Sequence, residues 1–97
     1  MIVSFDDDAT ADLFHGFNTS KVRKLPREVQ RIGPRKLDLV SAAAKLDDLK
    51  APPGNRLEAL KGDLAGCHSI RINDQWRIVF QWRDGAAHKV RIVDYHR

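Results

Sequence analysis

The sequence predicts an α+β fold, with N-terminal helices packed on one face of a mixed, mostly antiparallel β-sheet. Three observations point to it. Between Pro26 and Leu49 the apolar residues recur at helical spacing. From His68 to Tyr95 they alternate with polar residues, the period of two that a half-covered strand shows. The alternating runs are separated only by "ND" and "RDGA", linkers short enough for antiparallel hairpins and too short for crossovers. Helices followed by a meander place the helices together on one side of the sheet.

Taken in order, "MIVSF" is a short β-type run and "DDDAT" reads as a helix start, where carboxylates suit the positive end of the helix dipole. A helix through "ADLFHGF" is expected to bury Leu13 and Phe14, with Phe17 as a further candidate, and "NTSK" reads as a break. From Pro26 onward Val29, Ile32, Val40 and Ala43 share one side, flanked by Leu39 and Ala44. Gly33-Pro34 interrupts this pattern without changing its phase, which favours one kinked helix; two helices meeting at a turn is the alternative. Leu46 and Leu49 carry the pattern to "APPGN", whose prolines and glycine end it. "RLEAL" is then a short strand, "KGDLAG" a loop, and "HSIRI", "QWRIVFQW" and "HKVRIVDY" are the remaining strands.

Composition bounds the rest. The 97 residues suit a single domain, 1–97, and 42% hydrophobic with 31% charged residues describes a globular chain. No apolar run reaches the roughly 18 residues of a membrane span. The acidic start predicts no signal peptide, and the lone Cys67, expected at a strand edge, allows no internal disulfide; a reducing cytoplasm is the expected compartment. A net charge of +4 and a pI near 9.6 favour polyanionic partners. No metal or other cofactor is expected: His15, His68, His88 and His96 lack ligand spacing, and Asp6, Asp7 and Asp8 lack the pattern of a calcium loop.

Period-two alternation sorts the strands into faces. Ile70, Ile72, Trp76, Ile78, Phe80, Val90 and Ile92 turn toward the helices. Ser69, Arg71, Arg77, Val79, Gln81, Lys89, Arg91, Val93 and Tyr95 then share an uncovered face, joined by Arg56 and Glu58. A one-sided set of cations beside a tyrosine has the composition of a surface that grips phosphates and stacks a base, so Arg71, Lys89 and Arg91 are candidate RNA contacts. Alternating charge is equally how a half-exposed sheet stays soluble. Arg27, Arg31 and Arg35 form a second basic strip at helical spacing, of which Arg27 and Arg31 are further candidates.

The acid, base and cationic groups that could act together are Glu58, Lys61, Arg77, Asp94, Tyr95 and His96. Cleavage of RNA without a metal needs a base for the 2′-hydroxyl, a cation for the phosphorane and an acid for the leaving 5′-oxygen. Glu58 or His96 can serve as base or acid, while Arg77 and Lys61 can hold the phosphate. Alternation places His96 on the face opposite Tyr95 unless the chain bends after Asp94.

"RLEALKGDLAGCHSIRINDQWRIVFQW" followed by "IVDYHR" resembles the HigB toxins of bacterial type II toxin–antitoxin systems, within the RelE superfamily. The likeness rests on "LKGD-xx-G-xx-SI", the "N-x-QWR" hairpin and the terminal "DYH"; the "SF" of the opening run and the "PPGNRLEAL" passage also fit. It implies a RelE-like fold and endoribonuclease activity on mRNA in the ribosomal A site. It also implies a cognate helix-turn-helix, HigA-like antitoxin that neutralises the toxin and carries it to operator DNA. By the same resemblance Lys61, Arg77, Asp94, Tyr95 and His96 serve the active site. Some members carry a histidine three residues before that lysine, where this chain has Glu58. A carboxylate can act as a base, but as an acid near neutrality only when its pKa is raised, so acid duty shifts toward His96 or Tyr95. The alternative is a non-catalytic relative whose basic face grips RNA or the antitoxin without cutting. A DNA-binding regulator acting alone is disfavoured, because no helix-turn-helix is visible and the long helix is needed to cover the sheet.

Overall fold

The computed structural model describes residues 1–95 of the chain. Three helices precede four strands: α1 (Asp8–His15), α2 (Ser20–Arg23), α3 (Arg27–Ala42), β1 (Glu58–Ala59), β2 (Cys67–Arg71), β3 (Trp76–Arg83) and β4 (Ala86–Asp94). The strands lie in the order β1-β2-β3-β4, each antiparallel to the next. The opening run forms no full strand. It lies parallel to β4 and touches it through single bridges, Ile2 to Ala87 and Phe5 to Val90, which makes the sheet mixed at that edge.

The acidic start caps α1 as expected. The Asp7 carboxylate accepts from the Thr10 N–H at 2.7 Å, satisfying one of the first-turn donors. Gly16 closes α1 in the left-handed conformation at φ +80°, a cap that suits glycine. The helical phase is therefore lost before Phe17, which is 58% exposed instead of buried. "NTSK" is not a plain break either: the Thr19 hydroxyl accepts from the Val22 N–H and starts the single turn of α2, which buries Val22.

α3 is one helix that runs through Pro34, and its buried stripe is Val29, Gly33, Leu37 and Val40. Leu37 is absent from the periodic reading because Gly33, four residues before it, presents no apolar side chain to mark the stripe. A Cβ on Gly33 would stand 2.9 Å from Leu13 Cδ2, so a side chain there would displace the end of the leucine that α1 packs against α3. The helix ends at Ala42, short of Leu46 and Leu49. The Asp48 carboxylate takes the Ala44 and Lys45 N–H groups at 2.9 and 3.2 Å, and a separate 3₁₀ turn, Leu46–Lys50, buries Leu49.

The two hairpins differ. Asp84 and Gly85, at φ +53° and +74°, make the tight two-residue turn between β3 and β4. The β2–β3 connection is longer than the "ND" turn expected, because Ile72 and Asn73 both donate to the Trp76 carbonyl and Asn73 Oδ1 accepts from the Gln75 and Trp76 N–H groups. The Asx-type turn displaces a two-residue one.

Leu13, Val22, Val29, Leu37 and Val40 pack on Ile70, Ile72, Ile78, Phe80, Val90 and Ile92, the strand face assigned to the core. Thr10 is buried and its Oγ1 accepts from the Ile92 N–H at 3.0 Å, pinning α1 to β4. The other face is not uncovered. The segment after β1 folds over it, and Leu60, Cys67 and Val79 are buried there with Leu64, Val93 and Tyr95 packed against them. Between the Val79–Arg91 and Gln81–His88 pairs, β4 carries one residue more than β3. This bulge removes Lys89 from the open row: it sits at φ +53° with its N–H on Ser4 Oγ, and His88 takes its place opposite Gln81. No helix among the described residues is long and apolar enough to cross a membrane.

Candidate active site

Strand register assembles the site. Glu58 on β1 pairs with Ser69 on β2, which pairs with Val79 on β3; two residues away on the same face, Arg71 pairs with Arg77, which pairs with Val93. Arg77 is thereby a diagonal neighbour of Ser69, and Tyr95 follows Val93 on its own strand.

Arg77 is the one buried charged side chain among the described residues, 9% exposed. A buried charge requires partners, because desolvation without them costs more than packing returns. Its Nη1 donates to Ser69 Oγ at 3.1 Å and to the Arg56 carbonyl at 3.4 Å, and lies 3.5 Å from Glu58 Oε1. Arg56 takes the left-handed conformation at φ +46° as the 3₁₀ turn Pro53–Asn55 ends. The Tyr95 ring covers the guanidinium, with Cζ 5.1 Å from the centroid, within cation–π range.

Glu58, Ala59, Leu60, Lys61 and Tyr95 line a recess of about 320 Å³ at the β1 edge. Arg77 stands behind it, in contact with two of its lining residues. Lys61 is exposed at the rim, where the 3₁₀ turn Gly62–Leu64 begins. The arrangement offers a carboxylate, an ammonium and a phenol in one small concavity, with a guanidinium directly behind two of them. This set can accept a proton, bind a phosphodiester and stack a planar ring.

Asp94 is held differently. It pairs with Trp76, on the side away from Tyr95, and its Oδ2 accepts from Gln75 Nε2 at 3.1 Å. The Gln75 carbonyl also accepts from the Tyr95 N–H at 2.6 Å, so one hairpin residue holds two successive residues at the end of β4. His96, and with it the expected bend after Asp94, lies outside the described residues.

The candidate RNA contacts do not form one surface. Arg71 is ion-paired with Asp74, and Arg91 donates to the Lys89 carbonyl at 2.9 Å and lies 3.6 Å from Asp6. Lys89 is exposed in its bulge, near the N-terminal edge of the sheet. Arg27 and Arg31 are exposed on α3, in the helical layer on the far side of the sheet from the recess. Of the residues proposed from sequence, Glu58, Lys61, Arg77 and Tyr95 are brought together. Ser69, the Arg56 carbonyl and Gln75 were not among them. Ser69 lies in the same period-two row as Arg77, which is the signal that points to it.

Support for the recess comes from behind it. Lys36 on α3 donates from Nζ to Asn55 Oδ1 at 2.5 Å, and Asn55 Nδ2 donates to the Leu49 and Ala51 carbonyls, each at 3.2 Å. Asn55 is fully buried and fixes the turn that leads into Arg56 and Glu58. Burial, with the Arg71 and Arg35 charges nearby, pushes the Lys36 ammonium below the usual lysine range.

Comparison with known proteins gives a consistent result. Residues 3–96 match the model of the RelE-like toxin of the type II toxin–antitoxin system HigB. Toxin HigB-1 of Vibrio cholerae is 48% identical over 65 residues, covering 67% of this chain and 68% of the relative. Endoribonuclease HigB of Proteus vulgaris is 35% identical over 96 residues, covering 99% and 100%. Among solved structures, a chain of the YoeB-YefM complex from Staphylococcus aureus superposes with a TM-score of 0.57 at 15% identity, covering 100% of this chain and 99% of that one. At that identity the likeness concerns the fold, and it is the α+β, RelE-like arrangement expected.

Proposed function

The chain belongs to the family of RelE-like HigB toxins of type II toxin–antitoxin systems, and from that premise we propose that it is an endoribonuclease that cuts mRNA in the ribosomal A site. The observation that carries the reading is the recess at the β1 edge, where Glu58, Lys61 and Tyr95 meet and Arg77 is locked behind them.

In the proposed reaction a base removes the proton of a ribose 2′-hydroxyl. The 2′-oxygen bonds to phosphorus, the bond from phosphorus to the 5′-oxygen breaks, and an acid returns a proton to that oxygen. The products are a 2′,3′-cyclic phosphate and a 5′-hydroxyl end. Glu58, as a carboxylate, takes the role of base, and His96 or Tyr95 that of acid. Arg77 and Lys61 stabilise the charge that builds on the phosphorane, where a preorganised cation contributes most. Tyr95 also offers a face for a base, and Asp94, anchored by Gln75, fixes the end of the strand that carries it. Arg71 and Arg91 bind RNA from the sheet and Lys89 from its bulge at the N-terminal edge, with Arg27 and Arg31 on the helical layer.

The partner is a helix-turn-helix antitoxin of the HigA type, through which the toxin reaches operator DNA, and the protein acts in the cytoplasm. The YoeB neighbour is itself seen as a complex with YefM, which supports a proteinaceous antitoxin.

Purified protein incubated with ribosomes programmed with mRNA is expected to truncate that mRNA. Arg77→Ala and His96→Ala are each expected to slow truncation by about a hundredfold or more, the scale seen when one group that stabilises the transition state is removed. A non-catalytic relative would instead bind the programmed ribosome and leave the mRNA whole, and that outcome rejects the reading.

A further inference from the structure

We infer that Ser69 is a positioning residue: its buried hydroxyl, acting with the Arg56 carbonyl, aims the Arg77 guanidinium at the scissile phosphate. The inference rests on the reading of Arg77 as the phosphate-holding cation.

Three observations carry it. Ser69 is fully buried, so its hydroxyl has no solvent to satisfy it, and it accepts from Arg77 Nη1 at 3.1 Å. Every hydrogen bond that Arg77 makes with the described residues runs through that same nitrogen, to Ser69 and to the Arg56 carbonyl at 3.4 Å. The Glu58 ion pair also meets Nη1, at 3.5 Å. A guanidinium is a rigid planar fork, so tethering one nitrogen and setting its carbon over the Tyr95 ring restrains the direction of the whole group. The Nε and Nη2 groups donate no hydrogen bond to the described residues, and they form the pair that binds two oxygens of one phosphate. Without Ser69 the fork keeps its charge but is left with a single hydrogen bond, to the Arg56 carbonyl at 3.4 Å, and its direction loosens. The register explains why the serine can do this: it is the β2 residue between Glu58 and Val79, one diagonal step from Arg77.

Two isosteric variants separate the hydroxyl from the packing: Ser69→Thr retains it, and Ser69→Val replaces it with a methyl group of the same shape. Ser69→Ala adds a small variant that any strand accommodates. Single-turnover cleavage on programmed ribosomes is expected to fall about ten- to a hundredfold in Ser69→Val and Ser69→Ala, the cost of a modest misplacement of a reacting group. KM is expected to stay within about twofold, because the positive charge that attracts RNA is retained. Ser69→Thr is expected to recover most of the rate. Wild-type rates in both Ser69→Val and Ser69→Ala would overturn the inference, and so would equal losses in Ser69→Thr and Ser69→Val. A second readout needs no cleavage. The Arg77 guanidinium resonances in nitrogen NMR should report restricted rotation in the wild type and averaging in Ser69→Ala. If the wild type proves inactive while that signature is present, the functional reading fails and the positioning role stands. If the signature is missing from the wild type, the positioning role fails.

Discussion

Arg77 shows how one side chain can be half legible. Its face and its neighbours Glu58 and Tyr95 follow from counting in twos along three strands. Its burial does not, because that depends on the Arg56 carbonyl, Glu58 and the Tyr95 ring closing around it. Lys36 presents the reverse case: in sequence it is one more cation of a solvated helix, and in the structure it props up the turn that delivers Glu58. The folded protein surrenders the Lys36 proton at lower pH than the unfolded chain, whose lysine titrates near 10.5. Between those two points the unfolded state binds more protons, so this group makes stability rise with pH. Urea denaturation across the alkaline range should show that rise in the wild type relative to Lys36→Met, in which the contribution is gone. The same variant leaves buried Asn55 Oδ1 without its donor and should lose about 1–3 kcal/mol at neutral pH.

Among the elements, helices and strands were legible where a periodic run of side chains marks them. Errors gathered at the ends and at interruptions. Gly16 ends α1 early and leaves Phe17 exposed, and Asp48 captures the N–H groups that would have carried α3 onward. In each case a short local hydrogen bond or a left-handed residue outweighed a continuing apolar pattern. Gly33 is a different case, since its importance lies in what it lacks. Gly33→Val is expected to drive α1 away from α3 through Leu13 and destabilise the protein by about 1–3 kcal/mol, the usual cost of overpacking. Thermal or denaturant unfolding measures it, and an unchanged midpoint would show that the α1–α3 contact is slack.

Across the whole molecule the charge of +4 is distributed over both layers instead of one. The recess lies on one side of the sheet, while Arg27 and Arg31 stand on α3 on the other. RNA or ribosome binding that uses both layers depends steeply on salt, and each phosphate contact to a single strand contributes a slope of about 0.7. The double variant Arg27→Gln/Arg31→Gln is expected to weaken binding and to lower the salt slope by roughly 1 to 1.5 in a filter-binding or anisotropy titration. An unchanged slope would confine RNA contact to the sheet side. The sequence by itself determined the fold class, the long helix, the strand order of the meander and the common face of Glu58, Arg77 and Tyr95. Those features depend on local periodicity and on loops too short for any other connection. Only the tertiary structure decided the bulge that removes Lys89, the covering of the second face and the serine that holds Arg77. Each arises where segments distant in the chain meet, and no local pattern of side chains records such a meeting.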